Sequence, residues 1–350
     1  MEWEASITAG LQARDPYACA GCISELSAAT FEEARCCKVL RLCASEQQSG
    51  VAVALVQKIH ESSLPTSNAL FLQALRACAK AADLPRMWSL LELRKELRVP
   101  LDSRIFEYCF QCCRHARDSP AADRLWDLMR ESGLWPGEAG LQHLASVHSA
   151  AGNWERAREV LMQAAAAGQP TSSFQWTSVI TGAVRAKDIP SAEQLLNDMP
   201  VEPTVNNYNA LLHGYAMLWT SRMSEDERIV AAEELLRRMH ARGLAPSRAT
   251  FNCLLALHRY NMPRVRELLE QMQTSGIEPD LKSYTKATQT FLFSKRCEEV
   301  EDLIRKMKAA GLAPDARFYE VAIRAAQSVG LLDYADQLYR RSSLEGVQVS

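Results

Sequence analysis

Eleven cysteines and seven histidines are the side chains best suited to metal or nucleophilic chemistry. Cys19-x-x-Cys22 and Cys109-x-x-Cys112-Cys113 have the spacing of half a zinc site. The two groups lie far apart in the chain, and neither has a local second half. Cys109, Cys112 and Cys113 also fall inside a predicted helix, where small buried hydrophobes are the better account. So many unpaired cysteines suit a reducing compartment. The histidines (His60, His115, His143, His148, His213, His240, His258) are scattered, and His143 and His148 do not share a helical face at ligand spacing. No nucleophile–base pair, glycine-rich phosphate loop or HExxH-type cluster is present. The chain therefore reads as a non-enzyme that needs no metal or cofactor.

The elements that must position everything else are repeats. RATFNCLLALHRYNMPRVRELLEQMQTSGIEPD ends at Asp280, and LKSYTKATQTFLFSKRCEEVEDLIRKMKAAGLAPD ends at Asp315. Phe251 answers to Tyr284, Met272 to Met307, Gly276 to Gly311 and Pro279-Asp280 to Pro314-Asp315. Each copy predicts two amphipathic helices. Phe251, Leu254, Leu255 and His258 stand at i, i+3, i+4, i+7, as do Val265, Leu268, Leu269 and Met272. Gly then Pro closes the second helix. Neither pair can bury both apolar stripes alone, so stacked copies are expected. The predicted fold class is all-α, a right-handed α-solenoid of about nine helix-turn-helix repeats of ~35 residues.

Residues 1–32 form an N-terminal helical segment whose repeat register is unclear, and residues 33–172 hold degenerate copies. The clearer copies run 173–204, 205–247, 248–280, 281–315 and 316–350. The copy 205–247 carries extra residues, LWTSRMSE, between its helices, and Ser224 with Glu227 predicts a capping box that restarts the second helix. No polar capping helix follows the last copy, which reads as a piece of a longer protein. Forty Lys+Arg nearly balance forty-two Asp+Glu, which excludes sequence-blind nucleic-acid binding by bulk charge but not a narrow basic strip. No apolar run is long enough to span a bilayer. The first residues, MEWEASITAGLQARDPYA, have neither a signal-peptide core nor transit-peptide character.

Asn207-Tyr208-Asn209-Ala210-Leu211-Leu212, Gly243-Leu244-Ala245-Pro246, Gly276-Ile277-Glu278-Pro279-Asp280 and Gly311-Leu312-Ala313-Pro314-Asp315 closely resemble the pentatricopeptide repeat. In that family an aromatic followed by Asn, Thr or Ser opens the first helix, and Met then Gly-x-x-Pro-Asp closes the second. The Trp-x-x-Leu-Gly-x-x-Tyr pattern of tetratricopeptide repeats is absent. The resemblance is specific over 173–350, fair over 103–172 and thin before that.

The resemblance implies a single-stranded RNA partner, read one base per repeat by the residue after the aromatic and the last residue of the repeat. Carried over, the reading pairs are Thr177 with Thr204, Asn209 with Ser247, Asn252 with Asp280, and Thr285 with Asp315. The family's preferences give purine, then C, then U, then G. Short amide, hydroxyl and carboxylate groups can hydrogen-bond a Watson–Crick edge, although the same residues are also ordinary helix caps. Phe174 and Lys282 stand at the position that usually wedges between bases, and Lys80, Arg185 and Lys295 are candidate phosphate contacts late in the first helix. Leu72, Glu107 and Gln142 occupy the reading position in earlier copies, so the N-terminal half is expected to be structural or to face protein partners. The implied role is RNA processing, stability, editing or translation in a mitochondrion or chloroplast; without the resemblance the chain reads as cytoplasmic. The alternative is a protein-binding helical-repeat scaffold. No membrane and no small-molecule substrate are expected.

Overall fold

A computed structural model describes residues 2–13, 23, 26, 31–217 and 223–349. These residues hold nineteen helices and no strand. They divide into two compact units, Met1–Ala186 and Lys187–Ser350, a division that falls between the two helices of the copy 173–204. In the first unit α1 (Glu2–Gln12) precedes the pairs α2 (Glu33–Ser45) with α3 (Ser49–Glu61), and α4 (Asn68–Ala81) with α5 (Leu84–Glu96). The pairs α6 (Ser103–Ala116) with α7 (Ser119–Glu131) and α8 (Glu138–Ala150) with α9 (Trp154–Ala166) follow, and α10 (Ser173–Arg185) ends the unit. The second unit opens with α11 (Ile189–Asp198). Its pairs are α12 (Val205–Met217) with α13 (Glu225–Ala241), α14 (Arg248–Leu257) with α15 (Met262–Thr274), α16 (Leu281–Phe293) with α17 (Cys297–Ala309), and α18 (Ala316–Ser328) with α19 (Leu332–Leu344).

Within each unit the first helices of successive repeats pack side by side, α2–α4–α6–α8–α10 and α12–α14–α16–α18. Their neighbours bury the stripes that the sequence predicts: Phe251, Leu254, Leu255, Val265, Leu268, Met272, Tyr284 and Met307 share one core. Several first helices start at a side-chain cap. Asp102, Ser247, Asp280 and Asp315 each accept the amide hydrogen three residues on, which satisfies one of the orphan donors of the first turn.

The repeat step is visible in the backbone where it is faint in the sequence. Between first and second helices, Gln47, Ala82, Arg117 and Gly152 take positive φ; after second helices, Ser63, Arg98, Gly133 and Gly168 do. Both series advance by 35 residues, so the copies within 33–172 are regular. Their signature is hidden because residues with a Cβ occupy most of these left-handed positions, each at a cost of about 1 kcal/mol. In the second unit Gly276, Gly311 and Gly346 keep the same step.

Two copies depart from it. The first-helix stripe of 248–280 does not extend to His258: α14 stops at Leu257 and His258 becomes its buried C-cap, because this copy is two residues short. In 173–204, α11 stops at Asp198 because Met199 precedes Pro200 and is driven to an extended ψ of 135°. After the insertion, Ser224 and Glu227 form the expected capping box, with Glu227 accepting from the Ser224 amide at 2.6 Å. Leu218–Arg222 of that insertion lie outside the described residues, as do Cys19 and Cys22.

Cys109, Cys112 and Cys113 are fully buried on α6, and burial pushes the thiols of Cys112 and Cys113 up to about 12. They are protonated packing groups. Among the described residues no three His, Cys, Asp or Glu side chains converge on a metal position, and no helix is long and apolar enough to cross a membrane.

Candidate nucleic-acid interface

The layer of first helices in the second unit carries a polar network that occurs twice. Asn209 on α12 donates from Nδ2 to Ser247 Oγ at 3.1 Å, and Thr250 Oγ1 donates to Asn209 Oδ1 at 2.7 Å. One repeat later, Asn252 Nδ2 donates to Asp280 Oδ1 at 3.3 Å, and Ser283 Oγ donates to Asn252 Oδ1 at 2.7 Å. In both, the residue after the aromatic joins the last residue of its own repeat and the third residue of the next first helix. Ser247 and Asp280 are also the caps of α14 and α16. Capping and pairing are thus two functions of one side chain.

The third partners, Thr250 and Ser283, are fully buried. Sequence reasoning missed them; the signal for them was the residue three places after the cap, which returns a hydrogen bond in a capping box. Their hydroxyls hold each Asn carbonyl, so the amide nitrogen faces the last residue of the repeat. Burial raises the Asp280 carboxyl, but hydrogen bonds from the Ser283 amide, the Ser283 hydroxyl and Asn252 outweigh it and hold the group below its ordinary value. At neutral pH Asp280 is a half-buried carboxylate with Oδ2 left over as an acceptor.

The other two predicted pairs are arranged differently. Thr285 Oγ1 donates back to Leu281 O at 2.6 Å, and Asp315 is exposed and caps α18, accepting from Phe318 N at 2.7 Å. Thr177 likewise donates to Ser173 O at 3.0 Å. Thr204 donates from both its amide and its hydroxyl to the buried Asn207 Oδ1, at 2.8 and 2.9 Å. Thr177 belongs to the first unit and Thr204 to the second.

Phe174 is 60 % exposed, and Lys282 and Arg185 are exposed. Lys295 is not on the first helix: α16 ends at Phe293, and Lys295 occupies the left-handed turn residue with φ 58°. In the first unit Leu72 is buried, and Gln142 Nε2 is spent on Ser178 Oγ at 3.0 Å.

A family model, the pentacotripeptide-repeat region of PRORP, matches residues 163–344, just over half of the chain. The chain belongs to the pentatricopeptide repeat family. A chloroplastic pentatricopeptide repeat-containing protein of Arabidopsis thaliana is 25 % identical over 163 residues, which is 45 % of this chain and 20 % of that protein. The crystal structure of PPR10 with an 18-nucleotide psaJ RNA element superposes with a TM-score of 0.55 at 16 % identity, covering 99 % of this chain and 56 % of that one. The likeness to PPR10 places this pentatricopeptide repeat chain in the α-solenoid class that the sequence predicts. The chain spans about a fifth of the length of its curated relative and just over half that of PPR10.

Proposed function

We propose that this pentatricopeptide repeat chain binds single-stranded RNA along the first-helix layer of its second unit, one base per repeat, and serves as an RNA-binding adaptor rather than a catalyst. The observation that carries the reading is the twofold network Asn209–Ser247–Thr250 and Asn252–Asp280–Ser283, which fixes a donor and an acceptor at one site in successive repeats. A buried strut behind a half-exposed amide and carboxylate is what base-edge reading requires and a plain helix cap does not. PPR10, similar in fold, has been crystallised with RNA, and the curated relative is chloroplastic, which supports an organellar role in RNA processing, stability, editing or translation.

The first unit favours a second reading for itself. With Leu72 buried, Glu107 acidic and Gln142 engaged at the reading position, it serves as structure or as a protein-binding surface. Titrating the chain against single-stranded and duplex RNA of one sequence tests the proposal. Preference for the single strand, weakened by Asn252→Ala, is expected; equal affinity for both forms rejects base-edge reading, and indifference to both favours the scaffold.

A further inference from the structure

The groove between the second helices α17 and α19 is closed by a carboxylate of the chain itself. Glu345 accepts a hydrogen bond from the buried Tyr319 hydroxyl at 2.8 Å, pairs with Lys308, and lies 3.9 Å from Arg341 Nε. One 35-residue step earlier, between α15 and α17, that carboxylate is missing. Ala310 stands where Glu345 stands, each as the C-cap residue of its second helix. By the same step Tyr284 answers to Tyr319, Lys306 to Arg341 and Gln273 to Lys308. A cavity of about 310 Å³ lies here, lined by those three side chains and by Leu269, Phe291 and Leu303.

Tyr284 is only 6 % exposed, yet its hydroxyl, unlike that of Tyr319, has no hydrogen-bond partner among the described residues. Burial, then Glu278, raise this phenol above its ordinary value, so it stays protonated and remains a donor. Lys306 is exposed and forms no ion pair among the described residues. Its counterpart Arg341 is held by Glu301, but Arg266 stands in the place of Glu301 and is itself paired with Glu299. Asp302, also on the cavity wall, is taken up by Arg305. Leu269 is left half-buried, whereas its counterpart Ile304 is closed off. An unmatched phenol donor, an unmatched ammonium and an uncovered leucine therefore meet in one cavity.

We propose that this cavity is a docking site for a glutamate side chain of a partner protein, which takes the place that Glu345 takes one repeat later. The Tyr284 hydroxyl and the Lys306 ammonium then receive the carboxylate that Ala310 does not supply. Leu269 and Leu303 offer the apolar surface on which the methylenes of that glutamate pack. Glu270 lines the same cavity without a basic partner among the described residues. It disfavours a polyanion such as RNA and leaves room for a single carboxylate on a segment of mixed charge. The site lies between second helices, so it does not depend on the reading of the first-helix layer as an RNA interface.

The test selects from a displayed library of short random peptides on the full chain and measures the enriched sequences as synthetic peptides with amidated ends. They should share a glutamate beside an apolar residue, and their Glu→Gln twins should bind about 10- to 100-fold more weakly, as for a lost hydrogen bond to a charged group. Tyr284→Phe should weaken them by about 10-fold. Lys306→Met should weaken them by about 3-fold, since that ammonium is exposed. Ala310→Glu restores the chain's own carboxylate; it should abolish peptide binding, raise the melting temperature and leave RNA binding as in the wild type. A selection that returns no glutamate-bearing peptide, or affinities that Ala310→Glu leaves unchanged, would overturn the docking site. Loss of RNA binding rather than peptide binding in Ala310→Glu would overturn it too, and would assign the cavity to phosphate.

Discussion

Replacing Asp280 with Asn separates the two functions of that side chain. In the wild type, Oδ1 accepts from Ser283 N at 2.9 Å and Asn252 Nδ2 at 3.3 Å, with the Ser283 hydroxyl, whose proton holds Asn252 Oδ1, 3.0 Å away, and Oδ2 is left as an acceptor. A carboxylate oxygen there fits a base with a ring N–H, as uracil has at N3; cytosine presents a ring lone pair instead. In Asp280→Asn the Ser283 amide and the Asn252 amide keep an oxygen in the Oδ1 place, so the new amide NH2 must take the place of Oδ2. Acceptor becomes donor, and the preferred base should change from U to C. A well-formed bidentate base contact discriminates by about 1–3 kcal/mol, which is about 5- to 160-fold in the U:C ratio. Folding should hardly change, since Asn caps a helix as well as Asp and the Ser283 amide keeps its acceptor. Competition between two RNAs that differ only at that base reads the ratio, and a thermal melt reads the cap. An unchanged U:C ratio would make Asp280 a cap alone and refute the reasoning.

At Asp315, exposed and capping α18 through Phe318 N, the same change to Asn should move the preference from G toward A in an equivalent competition, with an unaltered melting temperature. Leu268, fully buried in the core of the second unit, should lose about 2–5 kcal/mol on change to Ala, measured by urea unfolding. Arg117→Gly should stabilise the first unit by about 1 kcal/mol, because φ is 57° there and glycine removes the clash; a lowered melting temperature would contradict that assignment. His143 is lowered from 6.5 to about 4 by burial and then by Arg114 and His115, so the unfolded chain takes up the proton first. Stability should be full above about pH 6.5 and fall toward pH 4, by about 1–2 kcal/mol after allowance for solvent screening, and His143→Gln should flatten that limb of the urea-midpoint profile.

The second-unit repeats were legible because Gly243, Gly276 and Gly311 occupy the left-handed turn residues and Pro-Asp follows two of them. The first-unit copies were not, because Ser63, Ala82, Arg98 and Arg117 take the same conformation without advertising it. The candidate pairs came from the resemblance, but their supports were invisible: Thr250 and Ser283 look like ordinary first-turn residues until their hydroxyls are seen to hold the Asn carbonyls. Capping and contact with the preceding Asn are not alternatives for Ser247 and Asp280, since each side chain makes both bonds.

The measurement that bears most directly on base reading by this chain is selection of bound species from a random single-stranded RNA library, followed by sequencing. The account predicts enrichment of consecutive C, U and G, 5′ to 3′, for Asn209 with Ser247, Asn252 with Asp280 and Thr285 with Asp315. The Asp280→Asn chain should replace only the U. A library that emerges without enrichment, or one whose enriched motif is the same for wild type and Asp280→Asn, would contradict the claim.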